Sequence, residues 1–288
     1  METIGNESKA KRFGKAAIDI VSFAALAVII ITIISVPFAT VLLKLGKEEA
    51  DTMSYFILSE TLMLAGVFLS AWIVWHLRGF SLEGLGRSLT MRWKDWLSGI
   101  LLATVLYAVG FGISLWAGAV EIAGVAFNPS SLLISLVFFL LVAVTEELAL
   151  RGFVLERLLQ SGVNKFCALF LSAALFSLIH IGNPNFDFLS FINILLAGIL
   201  LGSSYIYTRN LCFPIALHWF WNWIQGPVLG YEVSGNKFCN GLLALRLAAA
   251  NLINGGAFGF EGSVLCTVLM VVGTGLILKI HGKRVISG

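Results

Sequence analysis

The segment VTEELALRGFVLERL, residues 144–158, sets two adjacent carboxylates, Glu146 and Glu147, and one guanidinium, Arg151, into an otherwise hydrocarbon run. An ionised side chain at the centre of a bilayer costs at least about 2.5–3.5 kcal/mol, so three such groups within one helical stretch need a partner or a task. On a helix, Glu147 and Arg151 are four residues apart, share a face and can pair. Glu146 is turned about 100° from its neighbour and stays available for chemistry.

Two further segments carry the complementary groups. FSLIH ends in His180, and HWFWN opens with His218 and closes with Asn222, which stack on one helix face. The turn-like QSGVNK is centred near residue 163, 17 positions from both Glu146 and His180, so an antiparallel hairpin puts those two side chains at one depth. A glutamate beside a histidine can hold a water molecule and take its proton. A second histidine with an asparagine can donate to the oxygen that turns negative when a peptide carbonyl is attacked. These are the parts for amide hydrolysis without a covalent intermediate.

Each residue also has a plainer reading. A buried histidine is often an interhelical hydrogen-bond partner, Glu147 with Arg151 is expected to be a structural clasp, and Glu60 suits either helix glue or a cavity wall. The sequence has no HExxH, no GxSG and no GxGD, the usual marks of zinc, serine and aspartyl intramembrane chemistry. No metal or other cofactor is expected. A metal-dependent variant would use Glu146, His180 and His218 as three ligands with an open fourth position.

The elements that must position these groups are membrane helices. Hydrophobic residues make up 58% and charged residues 12% of the 288 positions, where a soluble domain carries about a quarter charged. Apolar runs fall at about 17–43, 53–76, 96–119, 131–156, 164–182, 187–207, 211–230 and 262–281, each close to the length that crosses about 30 Å of hydrocarbon. The expectation is an all-α polytopic transmembrane bundle of about eight spans, forming a single integral domain over 1–288 with residues 131–230 as its core. Residues 238–258, which include Arg246, read as an interfacial or half-buried helix. Asp19, near the start of the first span, reads as reachable by water. The polar connector 76–96 reads as an amphipathic piece anchored by Trp93 and Trp96. Four scattered cysteines, without ligand spacing, read as small packing residues.

Lysine and arginine gather at alternate ends of the spans. One side takes Lys9, Lys11, Arg12, Lys15, Arg78, Arg87, Arg92, Lys94, Arg157, Lys165, Arg209, Lys279, Lys283 and Arg284, and the other has Lys44, Lys47, Lys237 and Arg246. That bias places both termini in the cytoplasm. The net charge of +3 therefore reports topology, and no nucleic-acid partner is expected.

EELALR resembles an EExxxR motif, FSLIH an FxxxH motif and HWFWN an HxxxN motif, in the order found in the CAAX prenyl endopeptidase and bacteriocin-processing (CPBP, or Abi) membrane proteases. The resemblance covers about 131–230. It implies a helical membrane fold with a cavity open to the cytosol and glutamate-based hydrolysis of a peptide bond. Glu146 and His180 would activate water, His218 and Asn222 would form the oxyanion hole, and Glu147 and Arg151 would support them. The implied partners are the bilayer and a membrane-associated peptide or protein, prenylated and CAAX-like or otherwise, in a bacterial plasma membrane. The rival reading is a non-catalytic membrane protein, a transporter or an immunity or scaffold subunit, with a structural polar cluster.

Overall fold

The computed structural model describes residues 7–45, 53–79, 89–249 and 252–286. Among the described residues eight helices follow one another: α1 (Lys9–Leu45), α2 (Met53–Leu77), α3 (Trp93–Trp116), α4 (Pro129–Gln160), α5 (Lys165–Ile179), α6 (Phe188–Thr208), α7 (Cys212–Trp223) and α8 (Val264–Ile286). Within α4 the stretch Leu148–Leu155 is π-helical, and α7 runs on into a π-helical turn, Ile224–Val228. The helices start where the sequence supplies caps. Asn128 accepts from Ser131 N ahead of Pro129, Asn164 accepts from Phe166 N, and Asp187 accepts from both Ser190 N and Oγ. Each satisfies a first-turn group that would otherwise lack a partner in a membrane.

Five of these helices, α1 to α4 and α6, are long and apolar enough to cross a bilayer, and α5 and α8 supply shorter apolar helices. In their most apolar windows α6 is 67% buried and α1 only 17%. α6 is therefore the central post, while α1 shows most of its surface outward. Close packing on α6 relies on small residues, since a Cβ on Gly198 would lie 2.8 Å from the Cα of Ala173 on α5.

Within 238–258, read as a half-buried helix, the longest regular element is a strand at Leu243–Leu247, and residues 250 and 251 lie outside the described residues. β1 (Val120–Val125) and β2 (Leu243–Leu247) form an antiparallel pair, with Glu121 opposite Arg246. The physical reason lies in LALRL, whose leucines alternate with outward residues at a period of two, whereas composition alone does not separate that pattern from a helix.

Two poles result. At one, Asp19 is buried and forms ion pairs with Arg78 at 2.6 Å and Arg157 at 2.7 Å, joining α1, α2 and α4. The expectation that water reaches Asp19 is thus corrected, since two arginines take the place of solvent. Arg209 pairs with Glu156 and Asn210 donates to Thr90 O at this same pole. Trp96 stacks edge-on against Trp219 inside the bundle, so of the two connector tryptophans only Trp93 is exposed; residues 80–88 of that connector, like Lys47 and Glu48, lie outside the described residues. The opposite pole holds the β pair and the loops 180–187 and 229–263, tied together by Asn183 to Ser234 O and Asn185 to Ala257 O.

Candidate active site

Glu146 and Glu147 close the α-helical part of α4, immediately before its π-helical stretch. A π turn puts the carbonyl ladder out of step, and Leu150 O accepts the Ser172 hydroxyl from α5 at 2.9 Å. Arg151 lies fully buried in the same stretch. It donates from Nη1 to Glu147 Oε1 at 2.8 Å and from Nη2 to Gly198 O at 3.0 Å, with Phe176 against its guanidinium face at 4.6 Å. The close approach at Gly198 is what exposes that carbonyl to the arginine.

Glu147 has a second partner that spacing along one helix does not reveal. Its Oε1 also accepts from His218 Nδ1 on α7 at 3.0 Å. An ionised carboxylate only accepts, so Nδ1 carries the proton and Nε2 is the atom turned to the cavity. His218 Nε2 lies 3.8 Å from Glu146 Oε2, beyond a direct hydrogen bond. The order is therefore Arg151, Glu147, His218, Glu146. Glu147 is both a clasp and the orienting group of an imidazole.

His180 is the C-cap of α5, and its Nδ1 donates to Phe176 O at 2.7 Å. A carbonyl cannot donate, so the neutral ring keeps its lone pair on Nε2. The two histidines thus differ: one is pinned by a carboxylate, the other by a carbonyl.

Glu146, His180, His218 and Asn222 all line one cavity of about 340 Å³. Its other walls are largely aromatic, with Phe138, Phe139, Phe176, Trp221 and Phe238. Two more carboxylates reach it. Glu60 on α2 is buried, and its Oε1 has no hydrogen-bond partner in the protein. Glu261 is committed to structure: it accepts from Trp221 Nε1 at 3.0 Å, Gln225 Nε2 at 3.2 Å, and Ser234 N and Oγ at 2.9 and 2.7 Å. Nothing in the spacing of FGFEGS pointed to Glu261, because its donors come from α7 and a distant loop. Gln225 accepts in turn from Tyr107 and donates to Glu232 O, so this buried network fixes the loop after α7 over the cavity.

The rim of the cavity consists of Asn183, Val233, Ser234, Asn236 and Phe238, all from loops at the pole opposite the ion-paired arginines. Among the described residues, none of those lining the cavity comes from the loops at the arginine-rich pole.

Among the described residues no group of three His, Cys, Asp or Glu side chains is placed so as to hold a metal ion. Residues 128–224, about a third of the chain, match the family model described as Type II CAAX prenyl endopeptidase Rce1-like. That match spans every motif residue from Glu146 to Asn222, while Glu60, Glu261 and the rim loop lie outside it. No curated protein and no solved structure matches the chain.

Proposed function

We propose that this protein is an intramembrane endopeptidase that hydrolyses a peptide bond of a membrane-associated substrate with water activated by Glu146 and His180. The single observation that carries the reading is the meeting of Glu146, His180, His218 and Asn222, from three separate helices, on one cavity large enough to take a peptide segment. The family match over 128–224 supports the same class of chemistry.

In the proposed reaction the ionised Glu146 takes one proton of a water molecule while His180 Nε2 accepts the other in a hydrogen bond. The water oxygen bonds to the carbonyl carbon, and the carbonyl oxygen becomes negative. His218, doubly protonated between Glu147 and Glu146, donates from Nε2 to that oxygen, and Asn222 donates from its amide. The carbon–nitrogen bond then breaks, and the amine leaves with the proton held by Glu146. General base catalysis of this kind contributes about 10²–10⁴-fold, and each oxyanion donor about 10²–10³-fold.

The lysine and arginine bias supports an arginine-rich pole, with both termini, in the cytoplasm of a bacterial plasma membrane. On that orientation the cavity faces the non-cytoplasmic side. Its substrates would be peptides presented there, at or in the outer half of the bilayer.

The test is cleavage of a library of membrane-anchored peptides by the purified, reconstituted protein, read by mass spectrometry. Cleavage should persist with a strong chelator and fall at least about 100-fold in His180→Ala. Loss of all cleavage on chelation would replace this mechanism with a metal-dependent one, and no cleavage of any peptide would favour the non-catalytic reading.

A further inference from the structure

Glu60 is the one buried carboxylate of the cavity that neither the motifs nor the structural network employs. It stands on α2, outside the family match, at 6% exposure. Its carboxylate meets the Thr145 hydroxyl, but Oε1 has no hydrogen-bond partner, and the residue lines the cavity close enough to Glu146 and His218 to couple to both electrostatically. Leaving a buried carboxylate oxygen unpaired is destabilising, and the second carboxylate near it adds repulsion that the His218 ring offsets only in part.

The surroundings state what would relieve that cost. Among the described lining residues there is no lysine or arginine, and the nearby guanidinium, Arg151, is spent on Glu147 and Gly198 O behind Phe176. Phe56, one helical turn before Glu60, packs on Phe138, which in turn meets Phe139 and Phe238. A carboxylate beside aromatic faces is the setting that holds an organic cation, by ion pairing on one side and by ring quadrupoles on the other.

We infer that Glu60 forms a subsite for a lysine or arginine side chain of the peptide substrate, so that the protein selects segments with a basic residue next to the cleaved bond. This rests on the proposed peptidase reading for the word substrate, but the binding step stands apart from cleavage. The cation enters the aromatic-walled chamber, pairs with the Glu60 carboxylate and places the neighbouring peptide bond at Glu146.

The test measures binding first. Two uncleavable membrane-anchored peptides, one with lysine and one with norleucine at the same position, are titrated into the full-length protein in nanodiscs of phosphatidylglycerol. The lysine peptide is expected to bind at least about tenfold more tightly to the native chain, and the ratio should fall to near one in Glu60→Gln and recover in part in Glu60→Asp. Equal affinities in the native chain, or a lysine preference that survives in Glu60→Gln, would overturn the inference. So would loss of that preference on adding phosphatidylethanolamine, which would assign the subsite to a lipid amine. The same pair is then made cleavable: a Glu60-dependent lysine preference in binding without turnover would retain the subsite and remove the peptidase, whereas turnover without preference would do the reverse.

Discussion

His218 on α7 gives its Nδ1 proton to Glu147 on α4 at 3.0 Å, and the same carboxylate oxygen takes Arg151 Nη1 at 2.8 Å. Three side chains from two helices thereby fix the direction in which one imidazole nitrogen faces the cavity. Glu147→Gln keeps the shape but loses the charge opposite the ring. It is expected to lower kcat about 10²-fold with KM little changed, and its effect should be far from additive with that of His218→Ala, because the two act through one ring. Steady-state kinetics of the two single variants and the double variant check this.

Arg151 is completely buried. Arg151→Met leaves Glu147 with His218 as its remaining partner and is expected to cost about 3–5 kcal/mol, as when one partner of a buried ion pair is removed. Gly198→Ala attacks the same junction sterically, because the added methyl meets the Ala173 backbone; about 1–3 kcal/mol of overpacking is expected. Thermal unfolding in detergent, followed by size-exclusion chromatography, reads both. Unchanged melting in both variants would mean that the junction does not hold the bundle.

Asp19 serves as the shared counter-ion of Arg78 and Arg157. Asp19→Asn keeps hydrogen-bonding capacity and loses charge, and the expected cost is about 1.5–3 kcal/mol, without change in the substrate preference of the chamber. A melting curve beside a peptide-cleavage profile separates the two effects.

Sidedness can be read from the native cysteines. Cys239, half-buried, belongs to the rim loop, and Cys167 lies exposed near the start of α5 at the arginine-rich pole. With single-cysteine chains in intact cells, a membrane-impermeant maleimide should label Cys239 and spare Cys167, and inverted vesicles should reverse the pattern. Burial pushes the Cys239 thiol above its ordinary range, more than the Lys237 ammonium pulls it down. Less thiolate is then present at neutral pH, so labelling of Cys239 should speed up markedly as pH is raised. Labelling of Cys167 in intact cells would place the arginine-rich pole outside.

The helices were legible in the sequence because a bilayer leaves few options: each apolar run long enough to cross gave a helix; the caps at Asn128, Asn164 and Asp187 were not read in advance. The Glu147–Arg151 pair was legible because a separation of four fixes a shared face. The His218–Glu147 bond was not, since it depends on how α7 is rotated against α4, and no periodicity within one helix encodes that. Glu261 was hidden for a related reason: its donors, Trp221, Gln225 and Ser234, come together only when the chain after α7 folds back. The β pair was missed because LALRL is too short and too apolar to declare its period.

Turnover of a membrane-anchored peptide by Glu146→Gln, compared with the native chain in the same nanodiscs and with matched melting temperatures, bears most directly on the proposed chemistry. The amide fills the same space but cannot take a proton from water, so the rate should drop by at least about 100-fold, with Glu146→Asp falling between the two. Native-like turnover in Glu146→Gln would contradict water activation at this carboxylate.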